Sequence, residues 1–566
     1  MSFPRWQLPV LTLFAALSLF LFLGTRGLNE PDEGRYAEIG REMAVSGDWL
    51  VPHLNGIPHF QKPPLLYWAT AVSIRAFGAN EWAVRFPSAL AALGILALTY
   101  AIGVMLFDRA SGIAAALILL SCLEFFGCAR LLTPDMCMAF WITAAIACLV
   151  RFGQNGRPLW AWLFFVSMGL GFMTKGPMAF VVPVSAALSW QISRRQSPAP
   201  LRLPWLGGVI VMLAIGLSWF VVLSVRNPAL FHYFAGDELI QRFASKHHGR
   251  SKPFWFFAWV LPAGLYPWTF FGAAMVWRGA RNWFRGWRPQ PNQWLLIGWV
   301  AIPLLILSCS GSKLPTYVLP LFPSLALALG NWTRTRENSR LWNAALVTTL
   351  VALAALTTGI EIVEHRENID LPDSYLIIPS LVACLVLLRH RPVTTRMIVC
   401  ISTTFFWLAT IEEMASLNKH LEQQASVKLL ARRVLTATDL SRATIFACEV
   451  RAHGWEFYLQ RVVHMTADDA DIVLPLTPEQ EARVISSPKR CEEEMLSKSP
   501  AYGLVREERF ARSFEAEKWE VIGQAGDFLL IATKDSALSK VDDRDAPRGH
   551  ETEESPASME RRHERK

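Results

Sequence analysis

Pro64-Leu-Leu-Tyr-Trp-Ala-Thr-Ala-Val-Ser-Ile-Arg-Ala-Phe-Gly78 is an apolar run whose reading fixes the orientation of everything that follows it. A bilayer core of about 30 Å needs roughly 17 to 25 apolar residues per helix. This run is shorter, carries Arg75 and ends in Phe77-Gly78. An interfacial helix fits it better than a span.

Outward from that stretch, the chain is far more apolar than a soluble protein. Of 566 residues, 52% are hydrophobic and 18% charged, which excludes a disordered, collagenous or nucleic-acid-binding protein. Lipid tolerates no unpaired backbone, so each long apolar run is expected to be a spanning helix. Thirteen are expected, at approximately 8–24, 84–107, 111–127, 136–152, 159–174, 177–193, 204–224, 254–277, 293–309, 317–333, 341–361, 374–390 and 395–413. The first reads as a signal anchor, since no small-x-small cleavage site follows it. With the N-terminus inside and 64–78 not crossing, the inner segments carry seventeen Arg against Asp108 and Glu337 alone. That is the positive-inside pattern, and counting 64–78 as a span would reverse it.

The expected fold class is thus a polytopic α-helical membrane protein with a small C-terminal α/β extracytoplasmic domain. The membrane domain covers 1–413, with an outer loop at 25–83 that holds interfacial helices. The α/β domain covers 414–535, where Ala443-Thr-Ile-Phe-Ala447 and Phe528-Leu-Leu-Ile-Ala532 are strand-like. A charged, disordered tail is expected over 536–566. Residues 414–566 hold 23 Lys/Arg and 27 Asp/Glu, so the +8 of the whole chain arises in the membrane part. Of nine cysteines, Cys448 and Cys491 alone lie in the polar part, and their pairing stays open.

The unusual polar residues fall on the outer side. Pro31-Asp32-Glu33 reads as a helix start, with proline in the first turn and carboxylates facing the helix dipole. Helical spacing sets Asp32 beside Arg35 and Tyr36. Capping with a surface ion pair also explains that pattern. Lys62 stands in His59-Phe-Gln-Lys-Pro-Pro64 ahead of Tyr67-Trp68, a place for anion binding or for snorkelling to headgroups. Thr133-Pro-Asp135 supplies a second carboxylate at a helix start. Lys175 lies in a tight hairpin, costly unless partnered. Arg242 belongs to a basic loop at 225–253 suited to phosphate. His247 and His248 are adjacent and lack metal spacing, so they indicate a metal weakly. Lys313 and Tyr317 close the set. Two carboxylates and several cations from six segments, at headgroup depth, suit cleavage of a sugar from a polyprenyl phosphate.

Taken together, Pro31-Asp32-Glu33-x-Arg35-Tyr36, Ser46-Gly-Asp-Trp49, Phe60-x-Lys62-Pro63, Tyr67-Trp68, Val84-Arg85-x-Pro87, Pro134-Asp135, Lys175-Gly176-Pro177 and Lys313-Leu-Pro-x-Tyr317-x-Leu-Pro320 resemble the lipid-linked sugar transferases of the GT-C superfamily. The resemblance is to bacterial 4-amino-4-deoxy-L-arabinose transferases acting on lipid A, with protein O-mannosyltransferases as relatives. It implies that Asp32 and Asp135 line the active site as catalytic residues. It also implies that Lys62 and Arg35 hold phosphate or sugar, with Lys313 and Tyr317 in the same cavity. Tyr36, Tyr67, Lys175 and Arg242 join the expected substrate-binding set. The aminoarabinose transferases have Phe-Glu-Lys-Pro where this chain has Phe60-Gln61-Lys62-Pro63. A neutral Gln61 lacks the charge to hold a metal or the sugar's amino group.

The expected reaction takes a sugar from undecaprenyl phosphate to lipid A phosphate. Galacturonate, galactosamine or mannose as the sugar, and a protein or glycan acceptor, stay open. A membrane transporter is the alternative of another class, and it calls for charges near the bilayer midplane. No cofactor is required; a divalent metal stays open, with Gln61, His247 and His248 as weak ligands. The expected partners are the polyprenyl-phosphate sugar donor, lipid A or another extracytoplasmic acceptor, and membrane lipids. A monomer is expected, in the bacterial inner membrane, with its N-terminus cytoplasmic and its C-terminal domain periplasmic.

Overall fold

The computed structural model describes residues 7–195, 202–234, 236, 252–286, 288–335, 339–349, 351–352, 425–437, 443–467, 470, 472–498 and 500–533. The expected spans at 374–390 and 395–413, residues 353–361 of the expected span at 341–361, and the tail at 536–566 lie outside these residues.

The membrane part is a bundle of helices. We label α1 (Gln7–Phe20), α2 (Asp32–Ser46), α3 (Leu65–Phe77), α4 (Glu81–Leu106), α5 (Arg109–Leu120), α6 (Leu123–Ala129), α7 (Pro134–Asn155), α8 (Pro158–Lys175) and α9 (Met178–Ser193). Further helices follow at Trp205–Gly216, Ser218–Arg226, Phe256–Gly264, Thr269–Phe284, Pro291–Cys309 and Phe322–Thr335. Local chemistry sets their starts. Asn80 caps α4 by accepting from the Ala83 N–H at 2.9 Å, and Asp108 caps α5 through the Ser111 N–H at 2.8 Å. Pro134 stands at the first turn of α7, where its missing N–H costs nothing.

Among the described residues, three helices are long and apolar enough to cross a membrane: α4, α7 and Pro291–Cys309. The count rises to five if two bent pairs each make one span: α5 with α6, bent by 68°, and Trp205–Gly216 with Ser218–Arg226, bent by 52°. The run at 254–277 is likewise divided, into Phe256–Gly264 and Thr269–Phe284. Large apolar side chains stay exposed on the outside, including Val10, Leu13, Leu206, Ile210, Trp277 and Phe284. An apolar exterior of this kind needs lipid to cover it. Beneath it one core links α1, α4, α5 and α7 to α9.

Helices α2 and α3 stand apart from this core and pack on each other. Tyr36, Ala37, Ile39 and Met43 face Leu66, Tyr67, Ala71 and Ile74 in a separate apolar cluster. A short antiparallel pair, β1 (His53–Leu54) with β2 (Ile57–Pro58), lies between them in sequence. The apolar run at 64–78 is thus a thirteen-residue helix, α3, packed against α2.

Residues 444–533 form a six-stranded sheet in the order β5-β4-β3-β6-β8-β7. Its strands are β3 (Thr444–Cys448), β4 (His464–Thr466), β5 (Val484–Ile485), β6 (Ala501–Arg506), β7 (Trp519–Ala525) and β8 (Phe528–Thr533). The first four in that order run parallel, and β8 joins β6 and β7 antiparallel. Every residue of β8 is buried, as a strand covered on both faces requires. A disulfide joins Cys448, at the end of β3, to Cys491 in the helix Pro488–Ser497. This settles the pairing that the sequence leaves open.

Candidate active site

Consecutive residues on a helix point about 100° apart, so Asp32 and Glu33 at the start of α2 serve different purposes. Glu33 turns inward. Its carboxylate accepts from Arg85 Nε and Nη2 at 2.9 Å each, from the Asn29 N–H at 3.0 Å and from the Leu132 N–H at 2.8 Å. Arg85 is 1% exposed and also donates to the carbonyls of Leu23, Arg26 and Gly27 at 2.8 to 3.0 Å. Burial alone would raise the Glu33 pKa, but the Arg85 guanidinium outweighs it and holds the carboxyl at about 2. Glu33 therefore ties α2, α4 and the turn before α7 to one point. Arg130 does similar work on α1, donating to the carbonyls of Ser18, Leu19 and Leu21 near that helix's C-terminal end.

This joint brings the two expected carboxylates into one cavity. Asp32 faces outward, paired with Arg35 one turn on, and Arg35 lies 5.3 Å from the centre of the Tyr36 ring. Asp135, in the first turn of α7, is buried and paired with Lys175 at the end of α8. The Lys175 ammonium also stands over the Tyr317 ring at 4.9 Å, a cation–π contact. Burial raises the pKa of the Tyr36 phenol. The cavity measures about 790 Å³, ample for a sugar and a phosphate. Its lining comes from the start of α2, residues 60–63, the start of α7, the α8–α9 turn and residues 306–317. Phe172, Phe220, Phe234, Ile306 and Leu307 give it an apolar wall, with the Phe220 and Phe234 rings 5.0 Å apart.

Of the expected residues, Asp32, Arg35, Tyr36, Gln61, Lys62, Asp135, Lys175 and Tyr317 line this cavity. Two stand elsewhere. Tyr67 lies on the inner face of α3 with its ring 6.1 Å from that of Tyr36, so it backs the cavity wall and does not form it. Lys313 is 4% exposed, and its ammonium donates to the carbonyls of Ser310 and Lys252 at 2.5 and 3.0 Å. That cation closes a turn of backbone whose carbonyls would otherwise lose partners. Arg242, His247 and His248 lie outside the described residues. Among the described residues no three His, Cys, Asp or Glu side chains group as a metal site.

Three contributors escape sequence reasoning. Glu33 and Arg85 form the joint, and a lone arginine at the start of a 26-residue apolar helix is the signal for it, since such a charge needs a partner. Arg451, beyond β3, also lines the cavity, and no local pattern announces it.

A family model described as dolichyl-phosphate-mannose-protein mannosyltransferase matches residues 8–234. Two crystal structures of ArnT from Cupriavidus metallidurans share the fold at 23% identity. One, bound to undecaprenyl phosphate, has a TM-score of 0.78 and covers 96% of this chain and 100% of its own. The other, in the apo state, has a TM-score of 0.77 and covers 93% and 97%. The fold is therefore that of the membrane-embedded lipid-linked sugar transferases. An arabinosyl transferase of Sodalis glossinidius is 39% identical over 362 residues, which is 62% of this chain and 63% of the relative. That of Pectobacterium carotovorum subsp. carotovorum is 33% identical over 392 residues, 67% and 69% of the two chains. The chain belongs to the family of undecaprenyl phosphate-alpha-4-amino-4-deoxy-L-arabinose arabinosyl transferases. It spans less than two thirds of the Sodalis relative's length.

Proposed function

We propose that this protein is an integral membrane glycosyltransferase that moves a sugar from undecaprenyl phosphate to an extracytoplasmic acceptor, with aminoarabinose as the sugar and a lipid A phosphate as the acceptor. The observation that carries the reading is the single cavity in which Asp32, Arg35, Lys62, Asp135, Lys175 and Tyr317 meet an apolar wall. The wall suits a polyprenyl chain and the cations suit its phosphate.

In the proposed reaction an acceptor oxygen attacks the anomeric carbon. A new carbon–oxygen bond forms as the bond to the donor phosphate breaks, and undecaprenyl phosphate leaves with the electron pair. Lys62 and Arg35 meet the charge that develops on the leaving group, and Lys175 holds Asp135 in place beside Tyr317. A phosphate acceptor is already anionic, so positioning supplies most of the rate. Were the acceptor a hydroxyl, Asp32 would take its proton; its side chain is 46% exposed and so reachable. We assign no step to a resident metal.

The reading includes thirteen spans, a cytoplasmic N-terminus and a periplasmic C-terminal unit in the inner membrane of a bacterium. The Cys448–Cys491 disulfide supports that placement, because such bonds persist in oxidising compartments. Mass spectrometry of lipid A from cells with and without the gene tests the proposal. A pentosamine present only with the gene is expected; identical lipid A in both would refute the acceptor.

A further inference from the structure

The segment that brings Phe60, Gln61, Lys62 and Pro63 to the cavity belongs to no helix or strand. Pro63 and Pro64 have no N–H to give to a ladder. Its position is therefore set from its two ends. One end is α3, which starts at Leu65. The other is the β1–β2 hairpin, whose turn is held by the C-terminal unit.

That turn is Asn55-Gly56, with φ of 54° and 71°. Two successive left-handed residues make the tight hairpin turn for which Asn-Gly is a favoured pair. Asn55 is 2% exposed and bonds in both senses with Val463, the residue before β4. Its Nδ2 donates to the Val463 carbonyl at 2.9 Å, and its Oδ1 accepts from the Val463 N–H at 2.7 Å. A side-chain amide can do both at once because it carries a donor and an acceptor. The Gly56 carbonyl accepts from Gln480 Nε2 at 2.8 Å, and the Gly56 N–H donates to the Glu42 carboxylate of α2 at 3.0 Å. Ile57 shares the apolar core of the C-terminal unit with Val427, Trp455 and Val463. The hairpin tip is thus built into the C-terminal unit, although its sequence lies in the outer loop of the membrane part.

From the tip the chain returns to the cavity in a few residues. The strands pair His53 with Pro58 and Leu54 with Ile57, and the His59 N–H donates to the Pro52 carbonyl at 2.8 Å. Phe60 then enters an apolar socket with Met173, Trp219 and Phe234. That contact is non-directional, so it holds the segment down without fixing its register. The register comes from the hairpin. Lys62 follows Asn55 by seven residues.

On the function proposed above, which gives Lys62 the leaving phosphate, we propose that Asn55 is a positioning residue: by tying the hairpin turn to Val463, the C-terminal unit sets the place of Lys62 in the cavity.

The test measures the Kd of the detergent-solubilised full chain for undecaprenyl phosphate in a double-mutant cycle of N55G and K62M. N55G keeps the left-handed turn and removes both bonds to Val463. Each single variant is expected to weaken binding about tenfold, the loss of one charge-assisted contact. In the K62M background N55G is expected to cost less than about twofold, because the contact that Asn55 positions is already gone. N55D keeps the turn and the acceptor for the Val463 N–H but not the donor, and should follow the same pattern; it carries the test where N55G does not fold. A strictly additive cycle, or an N55G protein that binds like wild type, overturns the role of Asn55. Absence of binding by the wild-type chain, or wild-type binding by K62M, overturns the functional reading instead.

Discussion

Replacing Glu33 by alanine leaves the buried Arg85 guanidinium without its counter-ion and strips the Asn29 and Leu132 N–H groups of their acceptor. Breaking a buried pair from one side costs about 3 to 5 kcal/mol. The depression of the Glu33 pKa from its ordinary 4.5 to about 2 gives a separate measure. At about 1.4 kcal/mol per tenfold in proton affinity, it corresponds to about 3 kcal/mol. The two routes agree, so E33A should lose about that much stability at neutral pH. The sign is that of a depressed acid: the contribution is full above 4.5 and fades as pH falls toward 2, so E33A should also flatten the acid limb of the wild-type profile. Thermal unfolding of detergent-solubilised protein, followed by tryptophan fluorescence across that range, reads both effects. The double variant E33A/R85A removes the stranded charge and should unfold at a higher temperature than the sum of the single effects allows. An E33A protein that melts like wild type, or a strictly additive double variant, would refute the view of Glu33 as the joint of the site.

Other expectations follow from the same contacts. Asp135→Asn leaves the buried Lys175 ammonium without its partner and should lower both transfer and melting temperature, whereas Lys175→Met should restore part of the stability of D135N without restoring transfer. Reducing the Cys448–Cys491 disulfide, which closes a 43-residue separation, should cost the C-terminal unit about 4 kcal/mol on the loop-entropy relation, read as a lower melting temperature in dithiothreitol. The raised Glu30 pKa means that its contribution is full below the ordinary carboxylate value and is lost as pH rises; E30Q, which keeps the oxygen facing Gly454, should remove that loss, as measured by hydrogen exchange at the Gly454 amide across pH. Chelation by EDTA should leave transfer unchanged, since the phosphates are met by cationic side chains.

The readings that follow from local pattern agree closely with the structure. The short apolar run at 64–78 becomes α3, and the strand-like runs at 443–447 and 528–532 coincide with β3 and β8. Pro31-Asp32 and Pro134-Asp135 do start helices, because proline and carboxylate act within one turn. Disagreement arises where a side chain's target is distant. Lys313 reads as a cavity cation, but whether its ammonium meets solvent or the carbonyls of Ser310 and Lys252 depends on how two loops meet. Tyr67 shows the helical period of α3 but not which stripe faces Tyr36. Arg451 is 419 positions from Asp32, and the Glu33–Arg85 pair spans 52. Such contacts belong to the packing of whole elements, which periodicity does not encode. Runs such as 111–127 and 204–224 read as single spans because hydropathy averages over the bends that divide them.

In the proposed function, the cavity around Asp32 transfers a sugar from a polyprenyl phosphate. The most direct measurement is transfer by the purified full chain in vesicles, comparing wild type with Asp32→Asn. Asp32 is half exposed, so this variant should melt like wild type, while loss of the carboxylate that positions Arg35 in the site lowers kcat by about 100-fold or more. A glycosylated acceptor and released undecaprenyl phosphate are expected from the wild type, and nearly none of either from D32N. Equal transfer by the two proteins would contradict the proposed function.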